Sequence, residues 1–259
     1  MFPATTVRGM DYTAAWAEQN SLLGELLRDA DLATPVPTCP GWTLQKLLAH
    51  VGRGDRWAAT IVRDHSDIPV DARTVADGRP PEDPDGALKW LAESVPVLAD
   101  AVAATGAGTP VWTFIGPKPA GWWVRRRLHE SVTHRADAAI ALGLPYEVEP
   151  ALAADGVSEW LDLLAARPAD ADAPLLSGGA TLHLHATDEG LGEHGEWLVR
   201  LDGGRVVWEH GHGKGTAAVR GSACDLLLAV LRRIPSDDER LQVIGDGDVW
   251  RTWLDRTPF

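Results

Sequence analysis

Two halves of different architecture are expected of this chain: helices alone from residue 1 to about 148, then a small α+β region from 149 to 259. Three observations carry that expectation. Apolar residues recur at helical spacing through four segments of the first half, strand-like alternation begins only after Pro145, and 259 residues exceed what one ordinary core organises. Four helices with one long middle connection read as a four-helix bundle.

The first helix is predicted over Asp11 to Asp31, where Tyr12, Ala15, Trp16, Leu22, Leu23, Leu26 and Leu27 share a stripe. Thr34-Pro35-Val36-Pro37-Thr38-Cys39-Pro40-Gly41 breaks it. Thr43 suits the N-cap of a second helix running to about Asp64, with Trp42 and Leu47 placed as a hydrophobic staple; Lys46 weakens that cap because an acidic side chain suits a helix start better. A long connection, Ser66 to Pro84, precedes a third helix from Asp85 to Ala104 with Pro96 placed to kink it. Thr105 to Ala120 reads as loop, and Trp122 to Leu142 as the fourth helix.

In the second half Pro150 to Ala165 reads as a linking helix, and Thr181 to Ala186 alternates as a strand does. Glu196 to Leu201 and Arg205 to Glu209 flank Asp202-Gly203-Gly204, a hairpin signal. Thr216 to Arg220 is a further strand candidate, Ser222 and Asp225 cap a helix through Arg233, Leu241 to Ile244 is a short strand, and Val249 to Leu254 a last helical turn or two.

A formal net charge of -13 argues against nucleic acid or an anionic membrane as partner, since both need a basic footprint. Neither a basic-then-apolar start nor a spanning apolar stretch is present in the sequence, so a cytoplasmic location is expected, as a monomer or small homo-oligomer. Cys39 and Cys224 cannot build a disulfide framework or a cysteine-based zinc site, so any metal must rest on His, Glu or Asp.

Glu130 and His134 stand one helical turn apart, so both side chains point the same way, and with a third ligand from another helix they can hold one divalent metal with a position left open. The bland reading is an exposed polar pair, because their face turns away from Leu128, Val132 and Ala139. His50 sits at the edge of the apolar face of the second helix, where it is either a hydrogen-bonded core histidine or a ligand. A second metal reading uses His183 and His185, which share a strand face, with Asp188 close behind as a ligand candidate, and His210 and His212 form a flexible pair able to bind metal adventitiously; neither set has a convincing third ligand.

Thr38-Cys39-Pro40-Gly41-Trp42-Thr43 leading into Leu47-Leu48-Ala49-His50, together with His129-Glu130-Ser131-Val132-Thr133-His134-Arg135-Ala136-Asp137, resembles the mycothiol-dependent maleylpyruvate isomerase family of actinobacteria. The resemblance continues in His183-Leu184-His185-Ala186-Thr187-Asp188 and in Gly221 to Leu228. It implies a DinB-like bundle over 1–148, an α+β domain related to sterol carrier folds over 149–259, and a zinc or other divalent metal on His50, Glu130 and His134. It further implies mycothiol as cofactor, whose metal-activated thiolate adds to a small electrophile such as an anionic dicarboxylate, frees rotation about a former double bond, or is transferred. Arg220 and Arg233 are the candidates for the functional arginine that family carries in its second domain, while Arg53, Arg56 and Arg127 flank the bundle site. A metal-dependent hydrolase activating water and a non-catalytic binding or regulatory protein are the competing classes.

Overall fold

The computed structural model describes residues 9–170 and 174–258 and divides them into two compact units, Met10–Tyr146 and one beginning at Glu147. Among the described residues no helix is long and apolar enough to cross a membrane.

The first unit is helical. Its helices are α1 (Tyr12–Arg28), α2 (Leu44–Arg63), α3 (Pro84–Ala92), α4 (Ser94–Thr105) and α5 (Trp122–Leu142). Asp11 caps α1 by accepting from the amides of Thr13 and Ala14, and Thr43 caps α2 through a long 3.4 Å contact with the amide of Lys46, whose own ammonium turns back to the carbonyl of Gly41. The third predicted helix is two helices, broken at Glu93. Pro96 explains the break, because it has no N–H to offer the carbonyl of Ala92 and its ring crowds that oxygen. The loop predicted over Thr105 to Ala120 contains a short ribbon the sequence reading missed, β1 (Pro110–Val111) paired antiparallel with β2 (Lys118–Pro119).

Packing brings α5 between α1 and α2, and α2 also lies against α4. Leu23 and Leu27 of α1, Leu47, Leu48 and Val51 of α2, and Trp90 and Leu91 of α3 join one apolar cluster. Each fully buried leucine there contributes about 1.5–3 kcal/mol. The long connection before α3 is held by indoles: Trp57 donates to the carbonyl of Val70 and Trp90 to that of Asp77.

The second unit joins α6 (Pro150–Ala165) and α7 (Ala223–Val230) to a five-stranded sheet of β3 (Leu182–Ala186), β4 (Glu196–Asp202), β5 (Arg205–His210), β6 (Ala217–Gly221) and β7 (Gln242–Gly245), and ends in α8 (Gly247–Arg256). Strand order is β5-β4-β3-β6-β7, antiparallel except for β3 with β6. Gly203 and Gly204, with φ of 56° and 80°, make the tight β4–β5 turn that the Asp-Gly-Gly signal predicts.

Alternation sorts the sheet into two faces. Leu182, Leu184, Trp197, Val199, Ala217 and Val219 are buried, and Trp197 donates to the hydroxyl of Ser158 on α6, so α6 covers that face. Register puts His183, His185, Glu196 and Arg220 on the opposite face.

Candidate metal centre

The site is built from a loop and two helices. Residues 35 to 43 form a closed loop: Pro35 bridges Thr43, the amide of Val36 donates to the carbonyl of Trp42, and the amide of Trp42 donates to that of Cys39. The last bond closes a β-turn with Pro40 and Gly41 at its centre, and Gly41 takes φ of 81°, a conformation that costs glycine nothing. This loop aims Thr38 and Cys39 at α5, where the Thr38 hydroxyl donates to Asp137 at 2.6 Å and the Cys39 thiol to the same carboxylate at 3.4 Å.

Asp137 is fully buried and also accepts from Nδ1 of His134 at 2.9 Å. Its grip turns the other ring nitrogen, Nε2, toward Oε2 of Glu130 at 3.5 Å. From α2, Nε2 of His50 meets the same oxygen at 3.3 Å. The two imidazole rings are 4.9 Å apart, and Trp42 lies beside both, with centroids at 4.8 Å from His50 and 5.8 Å from His134. Donor atoms of His50, Glu130 and His134 all fall within 4.8 Å of one another.

This reverses one expectation. The Glu130–His134 face is not exposed: His134 is 5% and Glu130 15% accessible, while His50 at 37% is the open side. The reason is that α5 is packed from two sides, so its polar face is interior as well.

Charge is balanced around Glu130. Arg126 binds Oε1, and Arg127 approaches Oε2 at 3.4 Å while its Nε holds Asp55 at 2.6 Å. Burial opposes ionisation of Glu130, yet Arg126, the two imidazoles and Arg127 together hold its carboxyl well below the ordinary value. At His134 burial also opposes charge, but Asp137, Cys39 and Glu130 outweigh it and push the imidazole up to about 10. His50 goes the other way: burial lowers it, with His134 and Arg127 adding to the effect against the pull of Glu130. The pocket thus favours positive charge at Nε2 of His134.

Of the arginines read as flanking the site, Arg127 and Arg56 have structural tasks. Arg127 pins Asp55 and the carbonyl of Val51; Arg56 donates to the carbonyls of Gly52 and Trp90 and to Asp77, over the Trp90 ring. Arg220 and Arg233 lie in the second unit and line different clefts, Arg220 with Thr187, Ser222 and Arg240, Arg233 with Arg232 and Arg251. Nε of Arg220 is buried with no acceptor among the described residues, whereas Arg233 donates to the carbonyl of Leu231. His129 is buried and belongs to no donor cluster among the described residues. Asp137 and Thr38 were missed as site residues, although Asp137 stands three positions after His134 and so on its face.

Residues 12–139 match the family described as the mycothiol maleylpyruvate isomerase N-terminal domain, and residues 151–252 match that described as the MDMPI C-terminal domain. Among solved structures the chain is similar to the mycothiol-dependent maleylpyruvate isomerase, at 18% identity and a TM-score of 0.62 over 92% of this chain and 95% of that one. A histidine-to-alanine mutant of that enzyme aligns over the same shares at 16% identity, also with a TM-score of 0.62. Among curated proteins no match was found.

Proposed function

This chain belongs to the mycothiol maleylpyruvate isomerase family, and from that premise we propose that it is an enzyme that uses a divalent metal, zinc by the nature of its donors, together with mycothiol. Its substrate is a small electrophile, an anionic dicarboxylate with an activated cis double bond in the isomerase reading or a thiol acceptor in the transferase reading. The observation that carries the proposal is the convergence of two imidazole nitrogens on one oxygen of Glu130, at 3.3 and 3.5 Å. Donors 2.0–2.2 Å from a tetrahedral zinc stand about 3.3–3.6 Å from one another.

The residues present fit such an ion. His50, Glu130 and His134 supply three donors, Arg126 occupies the carboxylate oxygen that is not needed, and Asp137 fixes the His134 ring from behind, as outer carboxylates do for metal-bound histidines. Three protein donors would leave room for a further ligand on such an ion, and His50 is the most exposed of the three. A zinc ion bound there supplies one thing, a thiol held as thiolate at neutral pH. Trp42 shields one flank. Of the two arginine candidates in the second unit, Arg220 has a buried Nε without an acceptor among the described residues, which supports it over Arg233 as an anion-binding residue. We further read the helical unit as a DinB-like four-helix bundle in which α3 and α4 count as one broken helix, and the sheet unit as kin to sterol carrier folds.

Cys39, His134 and Asp137 also bring donor atoms together. Asp137 is already engaged by Thr38 and His134 and is wholly buried, which supports an orienting role. Metal analysis decides: His50→Ala and His134→Ala are each expected to lose the equivalent of metal held by the helical unit, and with it thiol-dependent turnover, while His129→Ala and Cys39→Ser keep that equivalent. Retention in His50→Ala with loss in Cys39→Ser would move the site to the second set. Turnover undiminished without any low-molecular-weight thiol would favour a hydrolase.

A further inference from the structure

The opposite face of the second unit's sheet carries a cluster the sequence did not assemble. His183 and His185 project from β3, and Glu196, which pairs with His185 across the ladder, from β4; His212 comes from the loop after β5. Nε2 of His183 lies 2.9 Å, Nδ1 of His212 2.7 Å and Nδ1 of His185 3.7 Å from the same atom, Oε2 of Glu196. Ring centroids are 5.5–6.1 Å apart, and the four donor atoms fall within 4.8 Å of one another. Asp188, the ligand candidate suggested by the sequence, is instead engaged by the amide of Ala223 at the start of α7.

We infer that His183, His185, Glu196 and His212 form a second metal site, for zinc or a similar imidazole-preferring divalent ion. The three imidazole nitrogens stand 2.7, 2.9 and 3.7 Å from Oε2 of Glu196; a tetrahedral ion with bonds of about 2.0–2.2 Å sets its donors about 3.3–3.6 Å apart, so the two hydrogen-bonded rings need draw back by only about 0.5–0.9 Å to admit it. Three imidazoles with one carboxylate suit zinc, copper or nickel over magnesium or calcium. His183 is buried and set on a strand, and the backbone of Glu196 is held by pairing with β3 and by Nδ1 of His210 at its carbonyl, so both side chains spring from fixed backbone. His212 is 77% exposed between two glycines, and closes the site from outside. With four protein donors no position is left for a substrate, so the ion ties β3, β4 and the loop together.

Zinc bound per chain, measured after dialysis against a buffered zinc concentration, tests this in the whole protein, in His134→Ala and in His212→Ala. His212 is exposed, so its removal does not threaten folding. The expected result is two equivalents in the unaltered chain and one in His134→Ala. In His212→Ala the second equivalent is weakened by at least about tenfold. One equivalent that His134→Ala abolishes and His212→Ala leaves untouched overturns this site while sparing the helical one. One equivalent that His212→Ala weakens and His134→Ala leaves untouched upholds this site and refutes the helical one. No bound zinc in any form overturns both.

Discussion

The two donor clusters differ in what surrounds them. In the helical unit two histidines share one carboxylate with two arginines, and the network runs on through Arg127 to Asp55 and Ser94 in the interior. On the sheet three histidines share one carboxylate, and no arginine is paired with Glu196 among the described residues. The first gathers three donors among the described residues and is open at His50; the second gathers four. On the proposed reading that contrast is the one between a metal site that keeps a position for chemistry and one that closes on its ion. It also teaches that the helical cluster runs inward into its unit's core, whereas the sheet cluster runs outward from the buried His183 to the exposed His212.

The largest effect should come from cutting the helical network where it enters the interior. Asp55→Ala takes from the buried Arg127 guanidinium the carboxylate it holds most closely and is expected to cost about 3–5 kcal/mol in urea unfolding of the metal-free protein. Glu196→Gln, which removes the corresponding carboxylate from the sheet cluster, is expected to cost no more than about 1 kcal/mol in the same assay. Equal losses in the two variants would erase the distinction between interior and surface clusters.

Next in size is Asp137→Asn, which keeps the shape behind His134 but removes the charge that orients its ring. Zinc affinity of the helical site is expected to fall roughly 10–100-fold, with the sheet site unchanged, as read by chelator competition. An unchanged helical affinity would make Asp137 a packing residue only. Smallest is His212→Ala in the metal-free chain, expected to shift unfolding stability by less than about 0.5 kcal/mol; a larger shift would mean that the histidine supports the sheet without any ion.

Much of this was legible in the sequence where one segment decides its own structure. Helix α5 runs Trp122–Leu142 and α6 runs Pro150–Ala165 as predicted, because Gly143 in the left-handed region stops the first and Pro150 starts the second. The break at Glu93 was half legible: Pro96 announced a kink, but separation into two helices depends on how the carbonyl of Ala92 is left. The exposed reading of Glu130 and His134 failed because a single helical wheel assumes one buried face, and α5 has neighbours on two. Asp137 and Thr38 stand 99 positions apart, and Glu196 and His212 meet His183 only through sheet register, so neither grouping is written in any local pattern.

The central claim is that sulfur can reach a metal held by His50, Glu130 and His134. Cobalt(II) in place of zinc makes this visible, since a thiolate bound to cobalt absorbs intensely in the near ultraviolet. Titration of the cobalt protein with mycothiol is expected to raise that absorption to a limit of one equivalent, equally in His212→Ala, and not at all in His134→Ala. Cobalt bound at the helical site with no such absorption at saturating mycothiol would contradict the account.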